Sequence, residues 1–178
     1  MPTSPTGRNR RQGGFTLVEL TLVVVLMVAL AAVAAPAFAG FWRASQAKSC
    51  AWRIAALARA AREQAICRGV RTSLQYDAEA REFRLAAEPD PVNAPGEFEG
   101  LELASARPAS IPDPVEAVDF SVEGQAADQA RPVIFFPDGQ ALEAEIVLQA
   151  SDGPAFSVQI SALTGQARVI EGDVREEE

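Results

Sequence analysis

The residues able to do chemistry in this chain are few. Histidine is absent, so neither a Ser-His-Asp nor a Cys-His relay can be built. Two cysteines, Cys50 and Cys67, are present, and two cysteines on one helix make no zinc site. On a continuous helix their spacing of 17 residues sets them roughly 25 Å apart, against a Cα separation of roughly 4.4 to 6.8 Å in a disulfide. They are expected as separate small apolar residues. Asp138 in PDGQ and Asp152 in SDGP carry the oxygen chemistry of calcium ligands, but neither lies in a run of alternating oxygen ligands, and turn formation accounts for both. No phosphate-cradling glycine loop is present. What remains is Glu19, set in GGFTLVELTLVVVLMVALAAVAAP (13–36). A carboxylate inside hydrocarbon costs about 2.5 to 3.5 kcal/mol at the bilayer centre and less near an interface, so Glu19 needs either a cationic partner or a route to the membrane surface.

The element that positions Glu19 is long and apolar. Leu20 to Trp42 contains no charged residue over 23 positions, and about 20 apolar residues suffice to cross a bilayer as a helix. Ahead of it lies a polar tail with Arg8, Arg10 and Arg11, the charge pattern of an export signal. One reading is a secretory signal peptide cut after Ala37-Phe38-Ala39, leaving a secreted binding domain. The other retains the apolar segment and removes only the tail. An h-region of usually 7 to 15 residues is shorter than the run Leu20 to Phe38 and has no use for a carboxylate, and both points favour retention. Basic residues flank the segment on both sides, Arg43, Lys48 and Arg53 following it, so loop charge alone does not orient it.

GGFTLVEL resembles the type III signal of type IV pilins and type II secretion pseudopilins: a short basic leader ending in Gly14, a cut before Phe15, and a glutamate five residues into the mature chain. The resemblance implies that a membrane prepilin peptidase cleaves between Gly14 and Phe15 and methylates the new amine. It also places the leader in the cytoplasm, and makes Pro36 a position where the long helix kinks or melts. The new α-amine on Phe15 would lie about one helical turn from Glu19, beside the positive end of the helix dipole. By the same resemblance the partner of Glu19 is the amine of a neighbouring subunit, which would guide docking as a subunit leaves the bilayer. Snorkelling of Glu19 to the interface is the alternative.

Beyond the membrane, Phe41 to Arg68 is rich in Ala, Arg, Leu and Gln and has no internal Gly or Pro, a helix-favouring composition. Cys50, Ile54, Leu57, Ala58, Ala61 and Ala65 recur at three- and four-residue steps, giving one apolar stripe, and Gly69 is placed to cap the helix. The whole helix is expected to run about 54 residues, roughly 80 Å, too long for a globule of this size to hide. Arg53, Arg59, Arg62 and Arg68 sit mainly off the stripe. They form a solvated face laid over the chain's own acidic domain, or a surface for acidic partner subunits. Trp42 and Trp52 suit interfacial anchoring. The formal net charge is -8, and Thr72 to Glu178 holds 22 acidic against six basic side chains, so this body should be soluble and repel phosphate backbones.

Past Gly69 the period changes to two. VRTSLQY (70–76) and REFRLA (81–86) flank the turn residues Asp77 to Ala80 as a hairpin. A proline-rich loop follows (Pro89 to Pro114), with a short strand expected at Leu101 to Leu103. Further strands are expected at Val115 to Val122, Pro132 to Phe136, Glu143 to Gln149, Ala155 to Ser161 and Ala167 to Gly172. Turn signals at PDGQ, SDGP and LTGQ make an antiparallel meander the expected topology. The fold class is therefore α+β, a long pilin-type helix whose first half is transmembrane and whose second half packs on antiparallel sheet. The expected divisions are a leader (1–14), a transmembrane and assembly helix (15–40), its amphipathic continuation (41–69), a β-rich periplasmic domain (70–172) and an acidic tail (173–178).

AREQAICRG (61–69) before a strand, and VIFFPDGQA (133–141) followed by FSVQISALTGQARV (156–169), resemble the GspH/FimT family of minor pseudopilins. That resemblance implies a non-enzymatic, low-abundance subunit at or near a filament tip, in a type II secretion pseudopilus or a type IV pilus, secretion being preferred. Its implied partners are the prepilin peptidase, other pilin or pseudopilin subunits and the inner membrane, with no cofactor and no small-molecule substrate. Some FimT-like pilins bind DNA through a basic, glycine-led C-terminal segment. Here that stretch is GQARVIEGDVREEE, where acids outnumber Arg168 and Arg175, which argues against nucleic acid.

Overall fold

A computed structural model describes residues 16–101, 107–113, 115–126, 131–150 and 153–172, with the side chains of 34–39, 117–118 and 126 outside the description. The expected leader and acidic tail, Gly14, Phe15, Asp152, Arg175 and the second half of the strand expected at Leu101 to Leu103 lie outside the described residues. The elements in order are α1 (Leu17–Arg68), β1 (Thr72–Asp77), β2 (Glu82–Ala87), β3 (Glu99–Gly100), β4 (Ala109–Ser110), β5 (Val115–Val122), β6 (Gln125–Ala126), β7 (Val133–Phe135), β8 (Ala144–Ala150), β9 (Ala155–Ile160) and β10 (Ala167–Glu171). The chain divides into two compact units, Met1–Ala39 and Gly40–Glu178.

In the second unit, all six residues of the expected stripe, from Cys50 to Ala65, are buried in one core. Ala47, Ala51 and Ala55 of the same helix are buried beside them, and such short side chains let the helix approach the strands closely. Leu74, Phe83, Val133 and Phe135 meet it from one sheet, and Val122, Ile146, Leu148, Val158 and Ile160 from the other. The buried hydroxyl of Thr72 donates to the carbonyl of Ala61 at 2.7 Å, tying β1 to the helix it follows. Between them Gly69 closes the helix, with φ of 67° and its N–H on the Ala65 carbonyl at 3.0 Å. This is the left-handed C-cap that favours glycine. Cys50 is buried and Cys67 exposed, and both are free.

Among the described residues pairing is antiparallel throughout, in two five-stranded sheets. One has the order β3-β2-β1-β7, with β4 also on β2, and the other β10-β9-β8-β5-β6. The hairpin β1–β2 runs in register from Thr72↔Ala87 to Asp77↔Glu82, and the Asp77 carboxylate accepts from the Ala80 N–H at 2.9 Å to close its turn. Three expectations need correction. The short strand of the proline-rich loop begins earlier, at Glu99, where β3 pairs with Ala86 and Ala87. A two-residue strand, β6, follows a turn at Glu123 and Gly124, both at positive φ. The meander is broken into β1-β2-β3 and β8-β9-β10: β7 pairs with β1 in the first sheet, Leu74↔Val133 to Thr72↔Phe135. There Val133 and Phe135 are fully buried under the helix. The chain then reverses through PDGQ, with Phe136 N–H on the Gln140 carbonyl and Leu142 N–H on the Ile134 carbonyl, and returns to the second sheet. Turn residues show that the chain reverses; which sheet it rejoins is decided by what apolar surface is left to cover.

Candidate assembly site

The described chain starts at Thr16, and this residue caps α1. Its hydroxyl oxygen accepts the Glu19 N–H at 3.2 Å, and its carbonyl accepts the Leu20 N–H at 3.2 Å. T-L-V-E is thus the sequence form of a capping box, with the cap residue at Thr16 and Glu19 three positions on. Glu19 stands in the first turn of α1, where the helix dipole favours a carboxylate. The spacing Thr-x-x-Glu was legible in the sequence and was overlooked beside the question of membrane burial. A glutamate at this position of a capping box favours helix initiation, which would act beside any pairing with an amine.

Pro36 falls within the helical span of α1, and its side chain lies outside the description. From Leu17 to Val33 the large apolar side chains are exposed around the whole helix, from 81% at Leu17 to 45% at Val23. A helix that is apolar all round has no solvent-facing side and requires an apolar surrounding. Among the described residues no helix is long and apolar enough to cross a membrane.

Three arginines of the second half of α1 bond backbone carbonyls. Arg53 donates to the Ser110 carbonyl at 3.1 Å, Arg59 to the Ala167 carbonyl at 3.4 Å and Arg62 to the Gly139 carbonyl at 3.2 Å. Arg59 also stands 5.9 Å above the Trp52 ring. This face is solvated at Arg53 and Arg59, as expected, and its arginines also clamp backbone carbonyls of β4, of β10 and of the PDGQ turn. Arg62 gathers the two turn motifs: Gly139 of PDGQ and Gly165 of LTGQ both pack against its side chain. A Cβ on Gly165 would fall 2.6 Å from the Gly139 carbonyl oxygen and 3.0 Å from Arg62 Cδ, at a φ of +59°. Gly165→Ala is expected to lower the unfolding free energy by about 2 to 4 kcal/mol, the overpacking and left-handed strain combined, read as a lower urea midpoint by tryptophan fluorescence.

Asp138 accepts the Gln140 N–H at 3.0 Å, the turn role expected of it. Among the described residues no group of three or more His, Cys, Asp or Glu side chains could hold a metal ion. A charged pair that sequence reading missed is Arg71 with Glu88. Two guanidinium nitrogens donate to the two carboxylate oxygens at 2.5 Å each, the Glu88 side chain being fully buried. The hairpin register continues one step past Thr72↔Ala87 to place these two opposite, so extending the register would have found them.

The prokaryotic N-terminal methylation motif matches residues 9–35, and the family described as Type II transport protein GspH matches residues 51–165. No curated protein matches the chain in sequence. Two structures of the minor pseudopilin EpsH from the type II secretion system of Vibrio cholerae share the fold. One is 14% identical with a TM-score of 0.55, over 71% of this chain and 97% of that one. The other is 13% identical with a TM-score of 0.58, over 73% and 96%. The solution structure of E. coli GspH is 16% identical with a TM-score of 0.53, over 74% and 92%. The shared architecture is a long helix followed by antiparallel sheets, and the GspH match takes in Arg53, Arg59 and Arg62, most of both sheets and the two glycines, Gly139 and Gly165, that meet at Arg62. The chain belongs to the GspH family of type II transport proteins.

Proposed function

We propose that this chain is a minor pseudopilin, a structural subunit at or near the tip of a type II secretion pseudopilus that supports protein export. The observation that carries the reading is the conjunction, on one chain, of the methylation motif over 9–35 and the GspH match over 51–165. It is made as a prepilin and held in the inner membrane by a single helix, with its acidic domain in the periplasm. Prepilin peptidase cuts between Gly14 and Phe15 and methylates Phe15. Glu19 then pairs with the terminal amine of a neighbouring subunit during docking, and Pro36 lets the helix bend as it leaves the bilayer. The all-round apolar surface of Leu17 to Val33 supports this sequence of environments, lipid first and neighbouring helices afterwards. The role requires no cofactor and no small-molecule substrate. Secretion is preferred to a type IV pilus because the family match and the named structural relatives are type II proteins.

The test is the intact mass and N-terminal residue of the mature protein from native membranes. A chain beginning with methylated Phe15 is expected. One beginning at Gly40 would make it a secreted domain and overturn the reading.

A further inference from the structure

Among the described residues β10 is the edge strand of the second sheet and pairs only with β9. In an antiparallel ladder alternate residues turn their backbone groups toward the partner strand. Ser161 N–H bonds the Gln166 carbonyl, and Gly172 N–H bonds the Ala155 carbonyl. By the register from Ala167↔Ile160 to Glu171↔Phe156, Arg168 and Ile170 therefore also face β9, and Ala167, Val169 and Glu171 turn N–H and C=O outward. The bond from Arg59 to the Ala167 carbonyl, at 3.4 Å, agrees with that direction and is long enough to yield to a better donor. Among the described residues, Arg59 alone is seen to reach this outward row.

Beside the row lies a groove of about 360 Å³, lined by Arg59, Arg62 and Glu63 of α1 and by Gln166, Ala167 and Arg168. It holds three guanidinium groups and one carboxylate in a domain whose strands and loops are strongly acidic. A row of unsatisfied backbone groups is a template for an added strand, and here the cations beside it select what that strand carries. We infer that the β10 edge and its arginine groove receive an extended acidic segment of another subunit by strand addition. Main-chain hydrogen bonds to Val169 and Glu171 give affinity, and carboxylates at alternate positions of the incoming strand, all on one face, meet Arg168, which projects from the face of β10 opposite the buried Ala167. Five residues of β10 offer roughly 17 Å of edge, so about five incoming residues suffice. The identity of the partner as a pseudopilin rests on the proposed function; the groove itself does not.

The probe is a fluorescent eight-residue peptide alternating Glu and Val, titrated by anisotropy against the full chain in detergent micelles. Saturable binding is expected. It should weaken by about tenfold or more with Arg168→Glu, where like charges oppose, and with a peptide N-methylated at alternate residues, which cannot complete the ladder. Equal binding of the N-methylated peptide would reduce the site to bare charge attraction and overturn strand addition. No binding, or no effect of Arg168→Glu, would overturn the groove. Displacement by a ten-nucleotide oligothymidylate at lower concentration than unlabelled peptide would make it a nucleic-acid site, and dimerisation abolished by Arg168→Glu would make the occupant a second copy; either result overturns the proposal. Methylation of Phe15 is untouched by any of these results, so the two readings fail separately.

Discussion

Glu88→Ala is expected to lower the unfolding free energy by about 3 to 5 kcal/mol, the usual cost of removing one partner from a buried ion pair. The Glu88 side chain is fully buried while the Arg71 side chain keeps 33% of its exposure. The carboxylate takes both guanidinium bonds and also the Gly96 N–H at 2.6 Å. Removing it orphans Arg71 and releases Gly96, which the same side chain holds against the end of β2. Two further variants separate the causes. Glu88→Gln keeps the shape and part of the bonding, and should lose less than alanine does. Joint replacement by Arg71→Met and Glu88→Leu leaves no buried charge unpaired and should lose least. Denaturation of the full chain by urea, followed by tryptophan fluorescence, measures all three. A loss below about 1 kcal/mol for Glu88→Ala would place the pair among surface bridges.

The same pair sets a pH dependence. The Arg71 guanidinium, bonded to Glu88, holds its carboxyl below the ordinary 4.5, burial works against it, and the Gly96 N–H adds to the lowering. A carboxylate with a lowered folded pKa binds fewer protons folded than unfolded. Its stabilisation is therefore fully present above about 4.5 and is lost as the pH falls through the folded pKa. Wild-type stability should decline on acidification below about pH 4.5, and Glu88→Gln should flatten part of that decline. Burial pushes the Cys50 thiol up, against the lowering effect of Arg53, so Cys50 contributes no charge in this range.

How legible these features were depended on how local their causes are. The helix stripe from Cys50 to Ala65 was read residue by residue, because a 3.6-residue period survives whatever the helix packs on. β5 was placed from Val115 to Val122 and is found there, since apolar alternation between turn signals fixes a strand without reference to its neighbours. The destination of β7 was not legible. Val133 and Phe135 would satisfy either sheet by pattern alone, and the choice is made by the apolar floor beside β1. The arginine clamps were missed for a related reason. Charge pattern marks Arg53, Arg59 and Arg62 as polar, but their partners are carbonyls at Ser110, Ala167 and Gly139, and carbonyl positions leave no trace in residue type. The glycines of PDGQ and LTGQ were read as turn chemistry, which they are. Their meeting over Arg62 is a tertiary fact that two separate turn signals do not contain.

Glu19→Ala is expected to leave cleavage before Phe15 and methylation intact and to cut incorporation into filaments by about thirtyfold or more, the equivalent of about 2 kcal/mol lost from one half of a desolvated charge pair. The capping geometry complicates a simple alanine test. Glu19 stands in the first turn behind the Thr16 cap, so alanine removes a capping-box residue and a charge together. Two further variants resolve them. Glu19→Gln retains a residue suited to the capping box and removes only the charge. Thr16→Ala removes the hydroxyl cap, at a cost of about 1 kcal/mol to the helix end, and leaves the charge. If Glu19 acts by pairing with an amine, alanine and glutamine fail alike and Thr16→Ala assembles nearly as wild type. If it acts by starting the helix, glutamine assembles, while alanine and Thr16→Ala are both impaired. Loss of the charge also removes an about 2.5 to 3.5 kcal/mol penalty for burying it in lipid, so the uncharged variants should stay in the membrane fraction. Processed, methylated Glu19→Gln subunits held in the bilayer would identify the carboxylate as what draws a subunit out of lipid; the same subunits found in sheared filaments would reduce Glu19 to a helix cap.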